Sequence, residues 1–150
     1  MRIVGLDVGE RRIGVAISDP TCTLARPVGT LTAAALDGAA LEGVAAEIAR
    51  LSAEDEDDAV GSIVVGVPRR LDGTPNDMTA RVEAFAARLK VRTSLDVILQ
   101  DERLTSREAE SRLALREKDW RVRKARLDAA AAAIILQDYL DSRPDSRTRS

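Results

Sequence analysis

Residues 2–8 (RIVGLDV) and 12–18 (RIGVAIS) are two β-branched runs separated only by Gly9-Glu10-Arg11. So short a link between such runs restricts the start of the chain to an antiparallel pair of strands. The first run carries a carboxylate, Asp7, where an apolar residue would serve a buried strand better. Burying an isolated carboxylate costs several kcal/mol or forces it to protonate, so an Asp in this setting asks for a paired cation or a bound metal. The alternative reading is an Asp that caps the Gly9 turn.

The rest of the chain extends this start into a mixed sheet. A third strand is predicted over 23–31, interrupted by Pro27 and therefore at an edge. Leu36, Ala39, Ala40, Val44, Ile48 and Leu51 recur at helical spacing, predicting a helix over 33–51 that stops before the acidic run 54–58, since carboxylates are unfavourable at a helix C-terminus. That run reads as a solvated loop rather than a metal site. SIVVGV at 62–67 is uniformly apolar, as in a central strand buried on both faces, and Pro68 ends it. A helix over 79–89 and a strand over 95–99 follow. Thr105 and Glu108 make a capping box that starts a helix over 106–117, and a last helix is predicted over 126–141. The order β-β-β-α-β-α-β-α predicts an α/β fold: a five-stranded mixed sheet, an antiparallel meander plus parallel strands, flanked by helices. Residues 1–142 are expected to form a single domain, and the polar tail 143–150 to be disordered.

Composition narrows the chemistry. With no histidine and one cysteine, Cys22, the chain cannot build a Ser-His-Asp triad, a Cys-His pair or an ordinary zinc site of His and Cys ligands. Carboxylates remain as the main ligand type, and they suit hard cations such as Mg²⁺ and Mn²⁺. The net charge of −2 excludes a generic polycation, so any nucleic-acid contact must come from a local basic patch. The longest apolar stretch, 129–136, is too short to span a bilayer, and a cytoplasmic protein with no membrane partner is expected.

Three acids stand at chemically loaded positions. Asp7 ends the first strand, Glu102 is expected to end the last, and Asp128 to open the final helix. Ligands collect at the carboxyl ends of parallel strands. The small residues 129–133 would let the final helix approach the sheet closely and bring Asp128 near Asp7. Clustered carboxylates repel unless a cation neutralises them, and two divalent ions so held can activate water and stabilise the departing oxygen of a phosphodiester. For Asp128 the alternative is an acid placed to complement a helix N-terminus. Basic residues adjoin these acids: Arg11, Arg12, Arg69, Arg70, Arg103, and the run Arg121, Arg123, Lys124 and Arg126. Singly each reads as solvated surface; together they suit a rim that tracks phosphates. Trp120 could stack on an unpaired base or pack on its own protein.

Four blocks in order resemble the YqgF/RuvX family of RuvC-like nucleases in the ribonuclease H superfamily. They are Gly5-Leu-Asp-Val-Gly with Arg12-Ile-Gly-Val-Ala, Ile63-Val-Val-Gly-Val-Pro with Asp72-Gly-Thr and Thr79-Ala-Arg, Asp101-Glu-Arg-Leu-Thr, and Leu127-Asp-Ala-Ala-Ala-Ala-Ala-Ile-Ile-Leu-Gln-Asp-Tyr-Leu. The resemblance, from residue 2 to about 141, implies a ribonuclease H-like fold and a catalytic, metal-binding set on Asp7, Glu102 and Asp128 that works with Mg²⁺ or Mn²⁺. It implies a nuclease acting on structured RNA or branched DNA, by 5′-end processing of pre-16S rRNA or, as the alternative, Holliday junction resolution. Arg69-Arg70 stand where the family usually has Leu-Asn. Cutting two symmetric strands would require a homodimer. An actin-like or sugar-kinase phosphotransferase needs two copies of this fold, for which 150 residues are too few. An idle nucleic-acid-binding module would have no use for all three acids.

Overall fold

The computed structural model describes residues 1–70, 72–101 and 120–143, with the backbone alone for 120–127. Its elements are β1 (Arg2–Val8), β2 (Arg12–Ser18), β3 (Ala25–Thr32), α1 (Gly38–Glu54), β4 (Val60–Val67), α2 (Thr79–Thr93), β5 (Asp96–Asp101) and α3 (Trp120–Ser142). The five strands lie in the order β3-β2-β1-β4-β5. The β1–β2 and β2–β3 pairs are antiparallel, and β1–β4 and β4–β5 are parallel, as the meander and crossover reading requires. Pro27 lies on the edge strand β3, where the register with β2 shifts.

Strand alternation divides the core into two layers. Val4, Leu6 and Val8 of β1, with Ile13, Val15 and Ile17 of β2, pack beneath α1 and α2 against Leu41, Val44, Phe85 and Leu89. Ile3, Ala16 and Val64 point the other way and meet Ala132, Ile135, Leu136 and Leu140 of α3. Burying a side chain such as Phe85 or Leu136 contributes about 1.5–3 kcal/mol.

Local chemistry moves several boundaries from their sequence expectations. Helix α1 begins at Gly38 rather than 33, because Asp37 accepts a hydrogen bond from the Ala40 N–H at 3.1 Å and Ala33 instead donates to the Arg11 carbonyl. It also runs to Glu54, past the expected stop. Arg50 pairs with Glu47 and, at 2.7 Å, with Glu54, offsetting acid at the helix end. Buried Arg2 donates to the Leu51 carbonyl at 2.7 Å and the Asp58 carbonyl at 2.6 Å, satisfying one of the last carbonyls of α1 and anchoring the turn beyond it. Helix α2 extends to Thr93, where Ser94 in the left-handed region (φ 61°) donates to the Lys90 carbonyl.

The largest correction concerns the final helix. It starts at Trp120 rather than 126, so the basic run 121–126 is helical and Asp128 lies about two turns inside instead of at the opening. The helix dipole therefore does not explain that acid, because its influence fades within the first turn. The capping box at Thr105, the helix expected over 106–117 and the tail from 144 onward lie outside the described residues. Among the described residues no helix is long and apolar enough to cross a membrane.

Helix α3 rests almost directly on backbone. A β-carbon at Gly14 would stand 1.9 Å from the Asp128 carbonyl oxygen, and one at Gly5 would stand 2.7 Å from Leu136 Cβ. Gln137 fastens the same helix to the start of β3, accepting from the Ala25 N–H and donating to the Thr23 carbonyl, each at 2.9 Å. Gly14→Ala should therefore lift α3 and cost about 1–3 kcal/mol or more. Gly29→Ala on β3, where an added carbon meets nothing within 4 Å, should stay within about 0.5 kcal/mol. Urea-unfolding midpoints of the two variants check this, and equal losses would show that Gly14 is not the point of closest packing.

Candidate active site

The carboxyl ends of β1, β4 and β5 come together at one rim of the sheet. Asp7 of β1 is in register with Gly14 of β2 on one side and Gly66 of β4 on the other, and Gly66 with Gln100 of β5. Because Leu6 and Val8 enter the α1/α2 core while Ile3 enters the α3 core, Asp7 lies on the face that α3 covers. Its flanking partners in the row, Gly14 and Gly66, leave a half-buried carboxylate without large neighbours on either side. This is a ladder position. Asp19, at the other end of β2, is a turn-capping aspartate: its Oδ1 accepts from the N–H groups of Thr23 and Leu24, and its other oxygen from the Thr21 hydroxyl. That hydroxyl, and then the backbone donors, hold the Asp19 carboxyl below the usual carboxylate range.

Asp128 enters the site from above. Its backbone carbonyl stands over Gly14, the residue opposite Asp7 in the β1–β2 ladder. Arg12, two residues before Gly14 and on the same face, places Nε 3.2 Å from Asp128 Oδ2. The Asp128 and Arg12 side chains are only 25% and 30% exposed, so the pair is less screened than an ordinary surface ion pair. Gly9, Glu10, Arg11, Arg12 and Asp128 line a cleft of about 240 Å³ at this rim.

The other sequence-singled residues fall as follows. Arg11 is exposed at the cleft. Arg69 and Arg70 begin the loop after β4, at the same rim. Arg69 pairs at 3.8 Å with Glu83 of α2 and Arg70 is exposed, so Arg69 already serves a contact within the fold. The loop is closed by a backbone bridge between Arg69 and Pro75 and by Asp72, which accepts from the Thr74 N–H and hydroxyl. The backbone of Arg121, Arg123, Lys124 and Arg126 lies in α3, in the turns that precede Asp128. Glu102 and Arg103 lie outside the described residues, directly after β5.

Sequence reasoning passed over two participants. Glu10 lines the cleft and pairs with Arg81 of α2 at 3.6 Å, and its place beside Gly9 marked it only as a turn residue. Gly14 sets the height of α3, and nothing local distinguishes it from any other strand glycine. Among the described residues no three acids gather into a metal-holding group; of the three acids singled out in the sequence, Asp7 and Asp128 are described and Glu102 is not. Both are hard oxygen donors, and a cationic group, Arg12, already stands at one of them; the residues present fit a divalent cation.

The sequence profile of the RuvX family, described as Holliday junction resolvase, matches residues 1–142. Among curated relatives, a protein of Anaeromyxobacter dehalogenans (strain 2CP-C) named "Putative pre-16S rRNA nuclease" is 39% identical over 143 residues, covering 95% of this chain and 98% of its own. One of the same name from Chloroflexus aurantiacus is 43% identical over 149 residues, covering 99% and 92%. Among solved structures, the Fowlpox virus resolvase in complex with Holliday junction DNA superposes with a TM-score of 0.55 at 14% identity, covering 95% and 98% of the two chains, a likeness of fold alone. The fold is ribonuclease H-like, and by its sequence from end to end of the described elements the chain belongs to the RuvX family of nucleases.

Proposed function

We propose that this chain is a divalent-metal-dependent nuclease that hydrolyses phosphodiester bonds at Asp7, Glu102 and Asp128, with Mg²⁺ or Mn²⁺ as the metal. The observation that supports it best is the seating of the Asp128 backbone on Gly14, the residue opposite Asp7, which brings two acidic residues to one rim of the sheet, where like charges held close together carry an electrostatic cost. A divalent cation bound there would offset that cost, activate water and stabilise the leaving oxygen. The remaining work falls to the chain itself. Asp7, held in the β1 ladder, keeps one carboxylate rigid, and Asp128, carried by a helix that Gln137 ties to β3, keeps the other in place. The open cleft beside Asp128, lined by Gly9, Glu10, Arg11 and Arg12, is where a scissile phosphate would sit.

The substrate reading rests on the relatives' names. Pre-16S rRNA, cut at its 5′ end, is the proposed target, since relatives at about 40% identity over nearly the whole chain carry that name. The family description supports Holliday junction resolution as the second reading, which would require a homodimer. In either case the phosphate-tracking rim is formed by Arg11, Arg12, Arg69, Arg70, Arg103, Arg121, Arg123, Lys124 and Arg126. A cleavage panel of precursor rRNA, single-stranded RNA, duplex DNA and four-way junctions, run with Mg²⁺ and Mn²⁺, separates the readings. No cleavage of any of them would refute the nuclease assignment.

Asp7→Asn should lower cleavage by at least about a hundredfold, since changes one layer outside a metal site already cost 10–100-fold. The variant should unfold at the same or a higher denaturant concentration than wild type in EDTA, because it relieves carboxylate repulsion. Cleavage at the wild-type rate would remove Asp7 from the chemistry.

Lys124→Ala should weaken binding to all sequences alike and flatten its salt dependence by about 0.7–0.9 slope units per lost phosphate contact, measured in Ca²⁺ to hold back cleavage. The Arg69→Ala/Arg70→Ala pair should do the same if the loop after β4 reaches the substrate. Unchanged slopes would return these residues to ordinary surface.

A further inference from the structure

Arg12 stands where two ligands would compete. Its Nε faces Asp128 Oδ2 at 3.2 Å, and that oxygen is shut off from solvent, so this ion pair is not one that bulk water can readily exchange. The backbone of Asp128 rests on Gly14, the residue opposite Asp7, so its carboxylate belongs to the rim where the proposed divalent cation would need oxygens. A guanidinium and a metal ion cannot both take the same face of one oxygen. Arg12 also borders the open cleft formed with Gly9, Glu10 and Arg11, whose volume of about 240 Å³ gives a displaced guanidinium somewhere to go.

We propose that Arg12 is a built-in counter-ion of the acid site: it occupies Asp128 until a divalent cation displaces it, and its released guanidinium then swings into the cleft to hold a substrate phosphate. The inference rests on the metal-site reading above and adds an order of events to it. Phosphate suits the freed group because a guanidinium offers a planar fork of donors that matches two phosphate oxygens. Glu10, already engaged with Arg81 at 3.6 Å, is the other carboxylate at the cleft, so phosphate is the ligand that adds negative charge where a released Arg12 needs it. Metal loading and nucleic-acid binding become linked: each favours the conformer in which Arg12 has left Asp128, and each must strengthen the other by the same factor.

The test measures Mn²⁺ binding to the full chain by calorimetry and by electron paramagnetic resonance, for wild type, Arg12→Gln, Arg12→Lys and Arg11→Gln. Arg12→Gln should bind Mn²⁺ at least about fivefold more tightly, the scale of one ion pair removed from competition. Arg12→Lys, which keeps the charge without the fork, should gain less. Arg11→Gln deletes the same charge one residue away and should change affinity by less than about twofold. In EDTA, Arg12→Gln should unfold earlier than wild type, and added Mn²⁺ should raise its midpoint by more. Ca²⁺ should tighten wild-type binding to a single-stranded RNA oligonucleotide more than it tightens binding by Arg12→Gln. Equal gains in Arg11→Gln and Arg12→Gln would mean a general field effect and overturn the counter-ion role, as would unchanged or weaker Mn²⁺ binding by Arg12→Gln. If wild type itself bound no Mn²⁺, the metal-site reading would fail instead.

Discussion

The contact between α3 and the bare backbone of β1 and β2 is the constraint on which the site depends. Side chains of ordinary size hold a helix well clear of a sheet; here Gly5 and Gly14 remove that spacer, and the small residues Ala129 and Ala132 remove it from the helix. The packing is graded along α3. Near the acids it is backbone on backbone, while further along Ile135, Leu136 and Leu140 meet Ile3 and Val64 with conventional apolar volume. The far half supplies the burial that holds the helix down, and the near half converts that hold into proximity of Asp128 to the Asp7–Gly14 pair.

Two arginines on the first strands illustrate how the partner decides the role. Arg2 is 6% exposed, and its Nε and Nη2 donate to carbonyl oxygens at the end of α1 and in the turn after it, which are uncharged. Such a contact has no ligand to compete with and is structural. Arg12, ten residues later, faces a full carboxylate at the rim of an open cleft. There, in the counter-ion role proposed for it, a divalent cation would replace it and a phosphate would receive it. Both are Arg at the start of a β-strand, and their sequence surroundings are nearly alike.

The order of elements and the mixed sheet could be read from the chain because both rest on local signals: strand-length β-branched runs, a three-residue link, Pro27 at an edge and the apolar run ending at Pro68. Boundaries set by side-chain capping were harder to place. Asp37 starts α1 later than its apolar spacing suggests, and the pairing of Arg50 with Glu47 and Glu54 carries it further. The start of α3 is not legible in the chain, because the basic run before Asp128 reads as solvated surface and charge density says little about backbone conformation.

The sequence by itself determined which chemistry is open to this protein. With no histidine and a single cysteine, hard oxygen ligands were the remaining route to a metal, and Asp7 and Asp128 could be picked out because a carboxylate in an apolar strand and one ahead of an alanine run each need a reason. What only the tertiary structure decided is how those acids are related in space. Asp7 and Asp128 lie far apart in the chain, and their approach depends on a glycine opposite one of them and on the helix resting upon it. The pairing of Arg12 with Asp128 is of the same kind. Electrostatic partners across layers are chosen by distance after packing, and no pattern along a single strand encodes that distance.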